Sequence, residues 1–158
     1  MEFYLLAEQP STASTVAKWY FDKWCRDTGR YPLEFIQKNV AAATNIEITS
    51  MLILCHIGND LVGAAELKIK EMDAFPEYEF GLGGVYVRKD FRGHRIGSAL
   101  VAEALKRALY ANIKKLYLQT ENLSGGLYTK FGFNHLHQVA SKGVCNCHVR
   151  RYRCITSC

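Results

Sequence analysis

Val85-Tyr86-Val87-Arg88-Lys89-Asp90-Phe91-Arg92-Gly93-His94-Arg95-Ile96-Gly97-Ser98-Ala99-Leu100 is the stretch whose reading decides the fold. An apolar run stops at Val87 and a basic turn containing glycines follows. From Ile96 onward, Leu100, Val101, Ala104, Leu105, Ala108 and Leu109 recur at the spacing of one helical face. The segment therefore reads strand, turn, helix. Such a turn aims several backbone N–H groups at one point, at the positive end of the helix dipole. Arg88, Lys89, Arg92, His94 and Arg95 add side-chain charge there, and the natural ligand is a phosphate or pyrophosphate. On the residues alone, a merely solvated basic turn stays open as the alternative. Two other phosphate motifs are excluded. A P-loop needs lysine before its Ser/Thr, which Gly97-Ser98 lacks, and the glycines of a dinucleotide fingerprint follow a strand, whereas Gly81, Gly83 and Gly84 open one.

Outward from that stretch, Phe3–Leu6 is a short opening strand and Pro10-Ser11-Thr12 supplies helix-start residues. Val16, Trp19, Tyr20 and Trp24 mark a helix between Thr12 and Thr28, ended by Gly29; Leu33, Ile36, Val40 and Ala43 mark a second. Ile46–Ile57 and Leu61–Ile69 flank Gly58-Asn59-Asp60 as a hairpin, and a polar loop with Pro76 leads to a fourth strand, Leu82–Val87, whose Gly83-Gly84 suggests a bulge. After the long helix come a strand over 114–119, a short helix over 124–131 closed by Gly132, and two closing strands, Phe133–Ala140 and Val144–Ile155, around Lys142-Gly143. This order predicts one α/β domain over 1–158 with a central sheet.

Composition agrees. The chain has 158 residues, 49% of them hydrophobic and 22% charged, which is globular and not disordered. No apolar run is long enough to span a membrane, and Met1–Pro10 carries Glu2 and Glu8 instead of a basic leader. Six cysteines without a leader predict free thiols and a cytoplasmic location. The net charge of +5 is too small for a dedicated nucleic-acid binder.

Arg92-Gly93-His94-Arg95-Ile96-Gly97 resembles the Arg/Gln-x-x-Gly-x-Gly/Ala acetyl-CoA motif of the GNAT family of N-acetyltransferases, and it lies between a strand ending Val-Tyr-Val and a long helix, as in that family. Leu127-Tyr128-Thr129-Lys130-Phe131-Gly132-Phe133 is similar to the family's Leu-Tyr-x-Lys-x-Gly-Phe. Arg95 replaces the first motif glycine, and Asn122 stands about one residue closer to Tyr128 than the family's spacing. The resemblance implies a mostly antiparallel mixed sheet flanked by helices and splayed between its fourth and fifth strands. It also implies acetyl-CoA as co-substrate and transfer of its acetyl group to a primary amine by direct attack.

By the same resemblance, the backbone of Val85, Tyr86 and Val87 would hold the pantetheine arm, with Asn122 touching it, and the N–H groups of Arg92, Gly93, His94, Arg95, Ile96, Gly97 and Ser98 would hold the pyrophosphate. Tyr128 would protonate the leaving thiolate, whose ordinary pKa is about 8.5. The attacking amine, with a pKa of about 10, must first lose a proton, and Glu79, with Glu66 second, is the expected acceptor. The loop acids Glu71, Asp73, Glu77 and Glu79 point to a cationic small-molecule or peptide amine, with no nucleic acid and no membrane as partner; a homodimer is compatible. Trp19, Tyr20, Phe21 and Trp24 are expected mainly in core packing beside a buried Cys25. Cys145, Cys147, His148, Cys154 and Cys158 are expected to pack without metal, since strand alternation puts His148 opposite the cysteines. Arg150, Arg151 and Arg153 read as edge-strand charges. The alternative function is a non-catalytic acyl-CoA sensor.

Overall fold

The computed structural model describes residues 1–44, 50–122, 124–141 and 145–153, the side chains of 140, 141 and 145–148 excepted. Its strands are β1 (Glu2–Leu5), β2 (Ser50–Ile57), β3 (Asp60–Ile69), β4 (Phe80–Val87), β5 (Lys115–Thr120), β6 (Asn134–Ser141) and β7 (Cys145–Arg153). Its helices are α1 (Ala13–Tyr20), α2 (Leu33–Ala42), α3 (Ile96–Tyr110) and the single turn α4 (Gly126–Thr129). The strands form one sheet in the order β1-β2-β3-β4-β5-β7-β6, antiparallel throughout except for the parallel pair β4–β5. The element order and the mixed, mostly antiparallel architecture match the expectation.

The near-continuous apolar runs of β2 and β3 follow from a sheet covered on both faces. Leu52, Leu54 and Ala64 pack with Val16, Ala17, Tyr20 and Val40 of α1 and α2. Their neighbours Ile53, Cys55 and Ala65 face Leu100, Val101 and Ala104 of α3. Leu109, included in the α3 stripe by sequence, is instead 51% exposed. Thirteen steps of 100° from Ile96 have carried it off the buried arc. α1 also ends earlier than expected, continuing as a π-helical turn over Phe21–Cys25 before Gly29 stops the chain.

Two irregularities shape the middle of the sheet. β4 and β5 share a single register pair, Gly81↔Tyr117, so the strands part beyond it and the expected splay is present. In β4, Tyr86 opposes Ala64 but Gly83 opposes Glu66, which leaves Gly84 and Val85 together opposite Ala65. That is the bulge expected from Gly83-Gly84, and Gly84 sits in it at φ +58. The Tyr20 hydroxyl donates to the Gly84 carbonyl at 2.8 Å, and a Cβ on residue 84 would collide with that hydroxyl. Tyr20 thus pins the bulge, a role hidden in the sequence among neighbouring aromatics.

The closing strands correct one expectation. β7 runs between β5 and β6, so β6 is the edge, and Arg150 is only 6% exposed, with Nη1 donating to the Phe133 carbonyl at 3.4 Å. Its role is internal, since the last strand inserts beside β5 instead of extending the sheet. Residues 45–49, the turn at 142–144 and Cys154 and Cys158 lie outside the described residues, as do the side chains of Cys145, Cys147 and His148. Cys25 and Cys55 are buried free thiols. Among the described residues no helix is long and apolar enough to cross a membrane, and no three His, Cys, Asp or Glu side chains group as a metal site.

Candidate active site

The basic turn after β4 is built from a 3₁₀ turn, Lys89–Phe91, and a left-handed residue, Arg95 at φ +60, from which α3 departs. The first helical bond runs from the Ala99 N–H to the Arg95 carbonyl, so the N–H groups of Ile96, Gly97 and Ser98 precede the helix ladder. They edge a cavity of about 270 Å³ whose walls include Val87, Arg92, Gly93, Arg95, Gly97 and Leu127. Gly93 adopts φ +88, and a Cβ on Gly97 would stand 3.4 Å from Leu127 and 3.8 Å from Val87, inside that cavity. An anion of phosphate size fits this concave, amide-edged, cationic bend.

Not every expected cation serves it. Arg88 is turned to Asp90 (2.6 Å) and Asp60 (3.5 Å), with its guanidinium 4.5 Å from the Phe91 ring centroid. Nδ1 of His94 lies 3.2 and 3.1 Å from the carbonyls of Phe91 and Arg92, and the ring is outside the cavity lining. The Arg92 N–H is bonded to Lys89 at 3.3 Å, and its Nε donates to the Val87 carbonyl at 3.1 Å, tying the bend to the end of β4. Among the described residues, Arg95 and the three N–H groups that follow it form the unengaged face. A β-carbon in the left-handed region costs about 1 kcal/mol that glycine avoids. Arg95→Gly is therefore expected to raise the melting temperature by about 2–4 °C; a lower melting point in a thermal scan would show that the arginine side chain supports the bend.

A second cavity, of about 590 Å³, opens on the splay. Val85 and Tyr128 line it, whereas Val87 and Leu127 line the first, so β4 and α4 each contribute to both. Val87 follows Val85 by two strand steps, so about 7 Å of main chain runs from one cavity to the other. Tyr86, between them, points to the other face and stacks on Trp19 at 5.1 Å. Asn122 lines neither cavity: its Oδ1 accepts from the Ser124 N–H (3.2 Å) and hydroxyl (2.8 Å).

Tyr128 is half-buried, its ring edge-on to Phe133 at 6.0 Å. Burial, and then the Glu71 carboxylate, raise its phenol above the ordinary tyrosine value, so it holds its proton at neutral pH. Glu66 and Glu71 line the same cavity. Glu66, 6% exposed, accepts from the Ser50 hydroxyl at 2.9 Å and pairs with Lys68 at 3.5 Å. Glu71 lies along Gly81 and Gly83, where a Cβ on Gly83 would strike its carboxylate. Lys68 reaches its Oε1 at 3.8 Å, and its Oε2 is buried without a hydrogen-bond partner among the described residues. Burial raises the Glu71 carboxyl, Lys68 opposes that, Glu66 adds to it, and the net shift is upward. Burial works against the Lys68 ammonium, but Glu66 and Glu71 outweigh it and its pKa is raised. Glu79 is exposed and outside the cavity lining, with its carbonyl accepting the Lys70 N–H at 2.7 Å. Of the loop acids only Glu71 and Asp73 reach the cavity, because Met72, Phe75 and Tyr78 anchor the loop over β5–β7 and the Tyr78 hydroxyl shares a 2.7 Å hydrogen bond with His137 Nε2.

Residues 10–133 match the model of the Acetyltransferase (GNAT) family. The chain belongs to the GNAT acetyltransferases. Solved structures share the GNAT fold over nearly its whole length. Ribosomal-protein-alanine N-acetyltransferase from Brucella melitensis is 17% identical with a TM-score of 0.77, covering 98% of this chain and 100% of that one. An aminoglycoside 6'-N-acetyltransferase complexed with coenzyme A is 13% identical with a TM-score of 0.75, covering 97% of each. A GNAT family acetyltransferase from Elizabethkingia anophelis, solved with acetyl-CoA bound, is 20% identical at a TM-score of 0.54, over 67% of this chain and 77% of that one. No curated protein sequence matches this GNAT chain.

Proposed function

We propose that this GNAT protein moves the acetyl group of acetyl-CoA to a primary amine of a small molecule or peptide, by direct attack with both substrates bound. The observation that carries the reading is the pair of cavities lined by successive residues of the parted strand β4, with the amide-edged basic bend at one and Tyr128 and two carboxylates lining the other. Acetyl-CoA supplies a thioester carbonyl. The bend from Arg95 to Ser98 would take its diphosphate, and the main chain of Val85–Val87 its pantetheine arm, a run that needs extended backbone more than any side chain.

Glu71 is the proton acceptor on this reading, in preference to the exposed Glu79. Its side chain lines the cavity and its raised pKa suits a base that must take a proton from an alkylammonium. Glu66 is already engaged by Ser50 and Lys68. The amine nitrogen then bonds to the thioester carbon, the carbon–sulfur bond breaks, the Tyr128 phenol gives its proton to the departing sulfur, and the phenolate regains one from the acylated nitrogen, leaving a neutral amide and a protonated Glu71 that loses its proton to solvent. None of the cysteines has to act as nucleophile. A sensor that only binds acyl-CoA would not need the phenol and carboxylate at the cavity. Chromatographic measurement of free CoA over a panel of amines tests the proposal. Release that requires both acetyl-CoA and an amine is expected; coenzyme binding without amine-dependent release would favour the sensor.

A further inference from the structure

The acceptor cavity carries a charge balance and a wall that together select among amines. Among the described residues lining it, the carboxylates are Glu66, Glu71 and Asp73, and the cations are Lys68 and Arg30. Lys68 lies between Glu66 and Glu71, at 3.5 and 3.8 Å, and Arg30 stacks on Tyr31 at 5.3 Å. The balance leaves one negative charge unmatched. One ammonium meets it; a polycation would bring further ammonium groups into a partly dry space with no carboxylate to receive them, and their lost hydration would go unrepaid.

The rest of the lining sets aromatic side chains beside aliphatic residues such as Ile36 and Leu82 and the amides Asn39 and Gln119. Tyr31 and Phe35 stack at 4.7 Å with their planes 15° apart, and Trp24 stands edge-on to Tyr20 at 5.3 Å. Trp24 and Phe35 are 41% and 43% exposed, whereas Glu66 is 6% exposed. The cavity thus grades from an inner end holding the buried Glu66 to an outer end where the faces of Trp24 and Phe35 are exposed.

Resting on the assignment of this cavity to the amine substrate, we infer that the acceptor is a monoamine with an aromatic body, an arylalkylamine. Its ammonium sits toward Glu71 and its ring lies against Trp24, Tyr31 and Phe35. Polyamines, aminoglycosides and lysine side chains in polar peptides are disfavoured, the first two by charge and the last by lacking a ring.

Initial-rate acetylation, followed as free CoA, with 2-phenylethylamine, tryptamine, spermidine, kanamycin and a lysine peptide as acceptors tests this. Calorimetric binding of the same amines to the CoA-loaded protein runs alongside. The arylalkylamines are expected to show KM values about tenfold or more below that of spermidine. Trp24→Ala and Phe35→Ala, both at exposed positions, are expected to raise the arylalkylamine KM about five- to tenfold while leaving the KM for acetyl-CoA unmoved. Equal or better use of spermidine, kanamycin or the peptide overturns the inference and leaves acetyl transfer standing. So does an arylalkylamine KM indifferent to both variants. Coenzyme binding with no amine bound or acetylated removes the inference and the proposed function together.

Discussion

Tyr128→Phe is expected to lower kcat about 10²- to 10³-fold, the usual share of a general acid. The acetyl-CoA Kd is expected to stay within about twofold, since what phenylalanine removes is the proton that a thiolate of pKa about 8.5 needs on leaving. The ring's edge-on packing on Phe133 survives the substitution, so stability is preserved and the lost hydroxyl alone is read. The pH dependence has a definite sign. An acid acts below its pKa, and burial together with Glu71 raises that of Tyr128, so loss of its proton limits the wild-type rate only at strongly alkaline pH. Steady-state kinetics with calorimetric coenzyme binding make the check. Unchanged kcat would reduce Tyr128 to a packing residue.

Glu71→Gln is expected to cost about 10²-fold or more in kcat/KM at neutral pH and to remove the ascending acid limb of the pH–rate profile. The base must be ionised, so the wild-type rate climbs as pH rises through the folded-state pKa of Glu71. That pKa is pushed up by burial, held back by Lys68 and raised again by Glu66. The stability sign runs the other way. A carboxyl whose pKa is higher folded than unfolded favours the fold while protonated, and that contribution is lost as pH rises through the folded value. At neutral pH the glutamine variant should therefore melt no lower than wild type while turning over far more slowly. An unaltered acid limb would return the proton to Glu66 or to water; a lower melting point with normal turnover would make Glu71 structural.

What the sequence disclosed and what it hid divide along physical lines. The bend at 92–98, the long helix and Tyr128 were legible because their signals are local: a strand ending in Val-Tyr-Val, glycines in a basic turn, and a stripe at helical spacing. The bulge announced itself in Gly83-Gly84, whose second glycine holds a positive φ. The place of Glu71 in the cavity was not legible, because it depends on an aromatic loop folding over β5–β7 and on Gly81 and Gly83 leaving one face of β4 open to a carboxylate. Glycines two apart on a strand, with an acid a loop away, were the available signal. Glu79, the acceptor expected from sequence, is exposed outside the cavity. Arg150 was misread as an edge charge because strand order, unlike strand existence, is set by tertiary pairing.

Calorimetric titration of acetyl-CoA into the wild-type protein and into Gly97→Glu probes most directly the claim that the amides opening α3 hold the coenzyme's diphosphate. Wild type should bind one equivalent with a Kd of about micromolar order, weakening as salt screens the charge. Gly97→Glu puts a carboxylate into the cavity between Leu127 and Val87 and should weaken binding about 100-fold or more with melting unchanged. Coenzyme binding equally well to a folded Gly97→Glu protein, or failing to bind folded wild type at all, would contradict the account.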